Sequence, residues 1–144
     1  MNLFGMLEVS GSALTAERLR AEVVTSNMAN AQSTRTPQGG PYRRQLVVFR
    51  AQRLPQFGAQ LAGFGLSHAR GVRIEQVVAS ASPAIERYQP GHPDANDKGY
   101  VAYPNVDPVE EMTDLLGAVR SYELNAAAVQ SAKTMIQESI DLLH

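Results

Sequence analysis

The sequence predicts a mainly α protein with a small β insert: long N- and C-terminal helices packed as a coiled-coil-like pair, with short strands and loops between them. Three observations carry this reading. Apolar residues recur at three- and four-residue spacing over residues 3–31 and again over 108–143. The stretch between them breaks into short β-branched runs separated by turn residues. Aromatic residues are only 6% of the 144, Trp is absent and many apolar positions hold Ala. Alanine buries little area, so helices rich in it depend on long, close contacts with neighbours.

The first helix is predicted over residues 3–31. Leu3, Leu7, Leu14, Ala21, Val24 and Met28 form one apolar stripe, and Val9, Ala13, Ala16, Leu19 and Val23 a second. Two adjacent stripes exceed what one partner helix requires. A central helix of a small bundle and a helix touching several neighbours in an assembly both fit. The helix fades in SNMANAQSTRTPQGGP, where Asn, Ser and Thr compete for backbone hydrogen bonds and Pro37, Gly39, Gly40 and Pro41 prevent continuation. YRRQLVVF at 42–49 reads as a strand, residues 54–71 as a glycine-rich loop, and VRIEQVVA at 72–79 as a second strand. SASP turns the chain, AIERY at 84–88 makes a third strand and YVAY at 100–103 a fourth.

The last helix, over 108–143, has the most regular pattern. Met112, Leu116, Val119, Tyr122, Ala126, Val129, Lys133, Ile136, Ile140 and Leu143 keep the spacing, and only Lys133 interrupts it. A second seam runs through Leu124, Ala128, Ser131, Met135 and Leu142. At helical rise the segment is ~54 Å long, against ~44 Å for the first helix. Pairing the two leaves the second seams uncovered, which points to self-association or to neighbouring proteins.

A formal net charge of -1 argues against a phosphate backbone as main partner. The charge is uneven: residues 1–53 hold seven Arg against Glu8, Glu17 and Glu22, whereas residues 54–144 are net acidic. Opposite ends of the chain can attract each other, or the opposite ends of neighbouring copies. There is no Cys, so no thiolate metal site or disulfide exists. The start, MNLFGMLEVSGSAL, lacks a basic n-region and is not a cleavable secretory signal. No apolar run reaches the length of a membrane span. Alone, these features suggest a cytosolic protein, unless export uses an uncleaved signal.

Candidate chemistry is thin. DANDKG resembles the start of an EF-hand loop, but its fifth position is Lys98 and its twelfth is Asn105, which spoils a calcium cage. His92, Asp94 and Asp97 resemble a facial triad, yet they lie in a turn-rich stretch where exposed polar residues are the default. Glu110, Glu111 and Asp114 suggest acid/base work until their position is considered. Asp107 as N-cap, Pro108 at the first helical position and Glu110 three residues on from the cap make a capping box. Acidic residues there also favour the helix dipole. No nucleophile has a catalytic setting, and His68, His92 and His144 lie in loops or at the chain end. No enzyme, no cofactor and no metal are expected.

Two stretches then carry a resemblance. SGSALTAERLRAEVVTSNMANAQSTRTP is similar to the N-terminal motif of the bacterial flagellar rod and hook proteins, through Ser10, Gly11, Leu14, Arg18, Asn27, Ala29, Asn30, Ala31 and Thr34. PNVDPVEEMTDLLGAVRSYELNAAAVQSAKTM resembles the C-terminal motif, through Asn105, Val106, Glu111, Met112, Arg120, Tyr122, Glu123 and Asn125. GGPYRRQLVVF after the first and GHPDANDKGYVAYPNV before the second resemble the short proximal-rod branch of that family. Residues 52–70 match nothing and look like a variable loop.

The resemblance implies an inner rod-core domain made of residues 1–36 and 105–144, with 37–104 as an outward β-rich segment. It implies a structural subunit of the basal-body rod that polymerises through its terminal helices, part of the hollow drive shaft that transmits torque round the export channel. Implied partners are other copies, proximal- and distal-rod proteins, the basal adaptor and membrane-ring proteins, and the flagellar type III export apparatus. Export would proceed without a cleaved signal into the periplasm-spanning rod, and folding would be coupled to polymerisation. The expected assembly interface is Leu7, Leu14, Leu19, Val24, Asn27 and Asn30 on the first helix. On the last it is Met112, Leu116, Val119, Tyr122, Ala126, Val129, Ile136 and Ile140. A non-flagellar coiled-coil adaptor or interaction module is the alternative reading of the same long helices.

Overall fold

The structure, a computed structural model, describes residues 3–52 and 71–142. Its elements run α1 (Leu3–Ala29), β1 (Gln45–Ala51), β2 (Val72–Ala79), β3 (Ile85–Tyr88), β4 (Tyr100–Tyr103) and α2 (Pro108–Asp141). The class is as expected: two long helices, with short strands between. β1 pairs with β2 and β3 with β4, giving two separate two-stranded sheets. β2 and β4 keep the predicted bounds. α1 stops at Ala29 rather than residue 31, because Asn30 turns its Nδ2 back onto Ser26 O (2.9 Å) and Ala31 and Ser33 close three-residue turns. β1 begins three residues later than expected, since Tyr42 N is engaged by Ser33 O (3.0 Å) in the preceding loop. The loop expected at 54–71 lies outside the described residues except for Gly71, as do His68, Leu143 and His144.

The chain divides into two compact units, each with a part of both helices and of the middle segment. One comprises Met1–Leu19, Val48–Gln76 and Ala118–His144. Ser10 and Ala16 of α1 and Ala118 and Ala132 of α2 are buried in it. Ser12 joins α1 to the start of β2: its Oγ donates to Val9 O (2.7 Å) and accepts from Val72 N (3.0 Å). Gly71 makes that approach possible. It sits at φ +116°, and a Cβ there would overlap Ser12 Oγ and lie 2.9 Å from Ser12 Cβ. Its carbonyl takes Gln52 N at 2.9 Å, which closes one end of the β1–β2 pair.

The other unit comprises Arg20–Val47 and Val77–Gly117. Val23, Val24 and Asn27 of α1 are buried in it with Val101, Val106 and Glu111. β3 and β4 are antiparallel, with Ile85 opposite Tyr103 and Tyr88 opposite Tyr100. Tyr88 and Tyr100 meet edge to face at 5.3 Å, and Arg87 lies 5.0 Å over the Tyr103 ring. Such cross-strand pairs stabilise a hairpin too short to persist alone.

The two faces of α2 differ in side-chain size. Glu111, Ala118 and Ala132 are at or below 1% exposed, and with half-buried Asn125 they fall at seven-residue steps. Several large apolar residues of the helix stay exposed: Met112, Leu116, Val119, Tyr122, Leu124, Met135 and Ile140. Much of the seam read from hydropathy is thus exposed, with Val129 and Ile136 half-buried, while the most deeply buried line of α2 is built from small and polar residues. Small side chains let helices approach closely, and large ones left in water mark a surface awaiting a partner.

Gly71→Ala is expected to destabilise the chain by about 1–3 kcal/mol, since the backbone would hold an L-residue in a strained region beside Ser12. Urea unfolding monitored by circular dichroism measures this; an unchanged midpoint would contradict the Ser12–Gly71 contact.

Candidate functional site

The most concentrated polar chemistry lies inside the second unit, where α1, the entry to β1 and the start of α2 meet. Asn27 lies three and four residues after Val24 and Val23, so the face that buries those valines buries it too. A buried carboxamide has to satisfy two donors and two acceptor sites. Asn27 Nδ2 donates to Gln45 O (2.9 Å) and Glu111 Oε2 (3.0 Å). Its Oδ1 accepts from Gln45 N (2.8 Å) and Tyr42 OH (2.9 Å). The carboxamide thus pairs with the first residue of β1 as another strand would, and fixes that strand's register against α1.

Glu111 is fully buried, and its other oxygen, Oε1, accepts from Arg44 Nε. Arg44 also donates Nη1 to Glu110 Oε1 (3.2 Å) and places Nη2 3.6 Å from Asp114 Oδ2. Asp114 Oδ1 in turn accepts from Arg20 Nη2 at 3.3 Å. Partial burial disfavours the charge on Arg44. The hydrogen bond and charge of Glu111, with those of Glu110, outweigh it and raise the pKa above the usual guanidinium range. The pair is therefore ionised on the arginine side at any physiological pH. A buried ion pair is not itself a large source of stability, but breaking one by removing a partner costs several kcal/mol.

Asp107 Oδ1 accepts from Val109 N (2.9 Å) and its carbonyl from Glu111 N (3.0 Å), which makes it the N-cap of α2. Glu110, expected to reach back in a capping box, instead faces Arg44. The acids at the start of α2 therefore divide in role: Asp107 satisfies the helix end, while Glu110, Glu111 and Asp114 surround Arg44.

The loop between β3 and β4 uses its polar atoms on itself and on the segment after α1. Asn96 Oδ1 accepts from Lys98 N (3.0 Å) and Tyr100 N (2.9 Å), and His92 Nδ1 accepts from Asp94 N (3.1 Å). Asp94 Oδ2 accepts from Thr34 Oγ1 at 2.8 Å, with Arg35 3.8 Å from its partner oxygen. Gly99, at φ +79°, closes the turn where a Cβ would lie 2.9 Å from the Tyr88 ring. Of the groups that resembled calcium or facial-triad ligands, His92, Asp94 and Asn96 act here as turn and docking atoms. Among the described residues no cluster of three or more His, Asp and Glu could hold a metal ion.

The residues expected at an assembly interface separate into two sets. Val24 and Asn27 are buried within the chain. Leu7, Leu14, Leu19 and Asn30 on α1, and Val129 and Ile136 on α2, are half-buried. Met112, Leu116, Val119, Tyr122, Ala126 and Ile140 are exposed. Sequence reasoning missed Tyr42, Arg44 and Gln45 as partners of Asn27 and Glu111. The available signal was Asn27 itself, a polar residue on an apolar face that had to find partners.

Glu111→Ala should lower stability by about 3–5 kcal/mol by stranding Arg44 and Asn27, whereas Glu111→Leu with Arg44→Met should cost much less than the two single changes added together. Unfolding midpoints for Glu111→Ala, the two single changes and their double test this. A loss below about 1 kcal/mol for Glu111→Ala would mean that the cluster holds nothing together.

Known families match both ends of the chain. The family described as flagella basal body rod protein matches residues 7–35, and the flagellar basal body rod FlgEFG protein C-terminal family matches 97–142. The chain is 40% identical over 151 residues to the flagellar basal-body rod protein FlgC of Borreliella burgdorferi, covering 99% of each. It is 39% identical to that of Bacillus subtilis, again over 99% of each, and 39% identical to that of Escherichia coli O6:H1, over 99% of this chain and 98% of the relative. These matches favour a rod protein over the non-flagellar adaptor. The chain belongs to the flagellar basal-body rod family, in its FlgC-like branch, and is a structural subunit of the basal body rather than an enzyme.

Proposed function

We propose that this chain polymerises through its terminal helices, residues 1–36 and 105–144, as an inner core of the proximal rod, with 37–104 directed outward. In this role it forms part of the hollow drive shaft that transmits torque and surrounds the export channel. Its neighbours are further copies, other proximal- and distal-rod proteins, the basal adaptor and the membrane-ring proteins. It reaches the periplasm-spanning rod through the flagellar type III export apparatus without a cleaved signal. Among the described residues no helix is long and apolar enough to cross a membrane.

The observation that carries this reading is the outward stripe of α2. Leu116 is 70% exposed, Met112 55% and Ile140 52%. Each such side chain gains about 1.5–3 kcal/mol when fully buried, so coiled-coil-like contact with neighbouring helices would recover a large free energy that the isolated chain leaves unused. The half-buried Leu7, Leu14, Leu19 and Asn30 of α1 have surface left to join it. Torque is then transmitted by side-chain interlocking, which needs no bound group.

Leu116→Asp and Val119→Asp test this directly. At exposed positions these changes should shift the stability of the isolated chain by no more than about 0.5 kcal/mol. In a packed rod, each would bury an unpaired carboxylate. Swimming in soft agar should be lost, while circular dichroism and export are unchanged. Normal rotating flagella in either variant would rule out the stripe as an assembly surface.

A further inference from the structure

Residues 39–44, from the first stretch that resembles the proximal-rod branch, and Asn105, from the second, border one feature that the rod-core reading leaves unused. Within the second unit, Gly40, Pro41, Arg43, Ser82, Pro83 and Asn105 line a concavity of about 260 Å³. Its walls are stiff. Two prolines fix the backbone, Ser80 and Ser82 bond each other (3.0 Å), and Ser80 N is held by Arg44 O (2.7 Å). Arg44 is committed to Glu110, Glu111 and Asp114, and Tyr42 to Asn27. Arg43 is the opposite case. Its side chain is exposed beside the concavity, and among the described residues it has no ion pair or hydrogen bond.

The same unit also presents the complement. The β3–β4 loop is held rigid by Asn96, His92 and Gly99, and by the contact of Asp94 with Thr34. At its tip Asp97 is exposed and, among the described residues, unpartnered. A preorganised loop bearing a free carboxylate and a preorganised hollow bearing a free guanidinium can associate with little ordering cost, and their charges select the register.

We propose that the β3–β4 loop tip of one copy seats in the 39–44/80–84 concavity of a neighbouring copy, with the Asp97 carboxylate against the Arg43 guanidinium. This rests on the reading of the chain as a polymerising rod subunit. The two surfaces are different patches of the same molecule, so the contact is head-to-tail. Contacts of that kind propagate into a ring or a helical array rather than closing a dimer. Residues 37–104 then contribute a directional lateral contact, distinct from the helix packing of the core.

The absence of cysteine from the sequence makes the test clean. Two differently tagged copies are co-expressed, one carrying Ala84→Cys at the rim of the concavity and the other Lys98→Cys at the loop tip. Basal bodies are then treated with a short bismaleimide. A dimer carrying both tags is expected. It should be absent when Gln76→Cys replaces Lys98→Cys, be lost on adding Arg43→Glu, and return when Asp97→Arg is added as well. Three results would overturn the proposal: no mixed dimer although both tagged copies are in the basal body, a dimer indifferent to Arg43→Glu, or an adduct to a different basal-body protein. Absence of tagged, otherwise unaltered chain from basal bodies would sink the rod reading itself, and this contact with it.

Discussion

The carboxylate of Glu111 has no access to solvent, and the second unit is arranged round the need to neutralise it. One oxygen is matched by Arg44 and the other by Asn27. Each partner belongs to a different element, so satisfying one buried charge positions three pieces of chain. Arg44 has to stand next to α2, which brings the entry of β1 there. Asn27 has to reach both Glu111 and Gln45, which sets where α1 ends and how β1 lies against it. An apolar cluster of similar size would tolerate sliding by a residue or a helical turn, whereas hydrogen-bond geometry does not. Registry is thus the best account of a charge placed where charge is costly.

Given that registry, α2 is free to present its large apolar side chains outward. Glu111, Ala118 and Ala132 make an inward face that needs little volume. Leu116, Val119 and Ile140 then remain available to other subunits. A rod subunit benefits from this division. Its own fold is specified by polar geometry and small residues, while under the proposed assembly the hydrophobic free energy stays in reserve for the polymer. A chain that buried the same leucines internally would be more stable alone and less able to assemble.

The helices, and the bounds of β2 and β4, were legible in the sequence because periodicity and turn chemistry act locally. Asp107 was legible as a cap for the same reason: Asp–Pro before an apolar run has few other uses. The orientation of α2 was not legible. Hydropathy identifies the larger stripe but not how much of it the chain's own fold buries, and Met112, Leu116 and Val119 are left exposed. The roles of Glu110 and Glu111 were hidden as well, since their positions in the first turn fit the helix dipole equally well. What distinguishes them is Arg44, 67 residues from Glu111 in the chain and invisible to any local pattern. The acids and histidine of the 91–99 loop looked like ligands because ligand sites and tight turns draw on the same residue types.

In the proposed rod, α2 carries two faces with separate duties, the inward one fixed by Asn27 and Glu111 of the same chain and the outward one covered by neighbours. An electron-microscopy map of purified basal bodies, at a resolution that shows side chains, measures this most directly. The account predicts Asn27 and Glu111 of each copy in contact with each other, and Leu116 and Val119 packed against another subunit. A map in which Leu116 and Val119 face solvent, while Glu111 pairs with an arginine of a different chain, would contradict it.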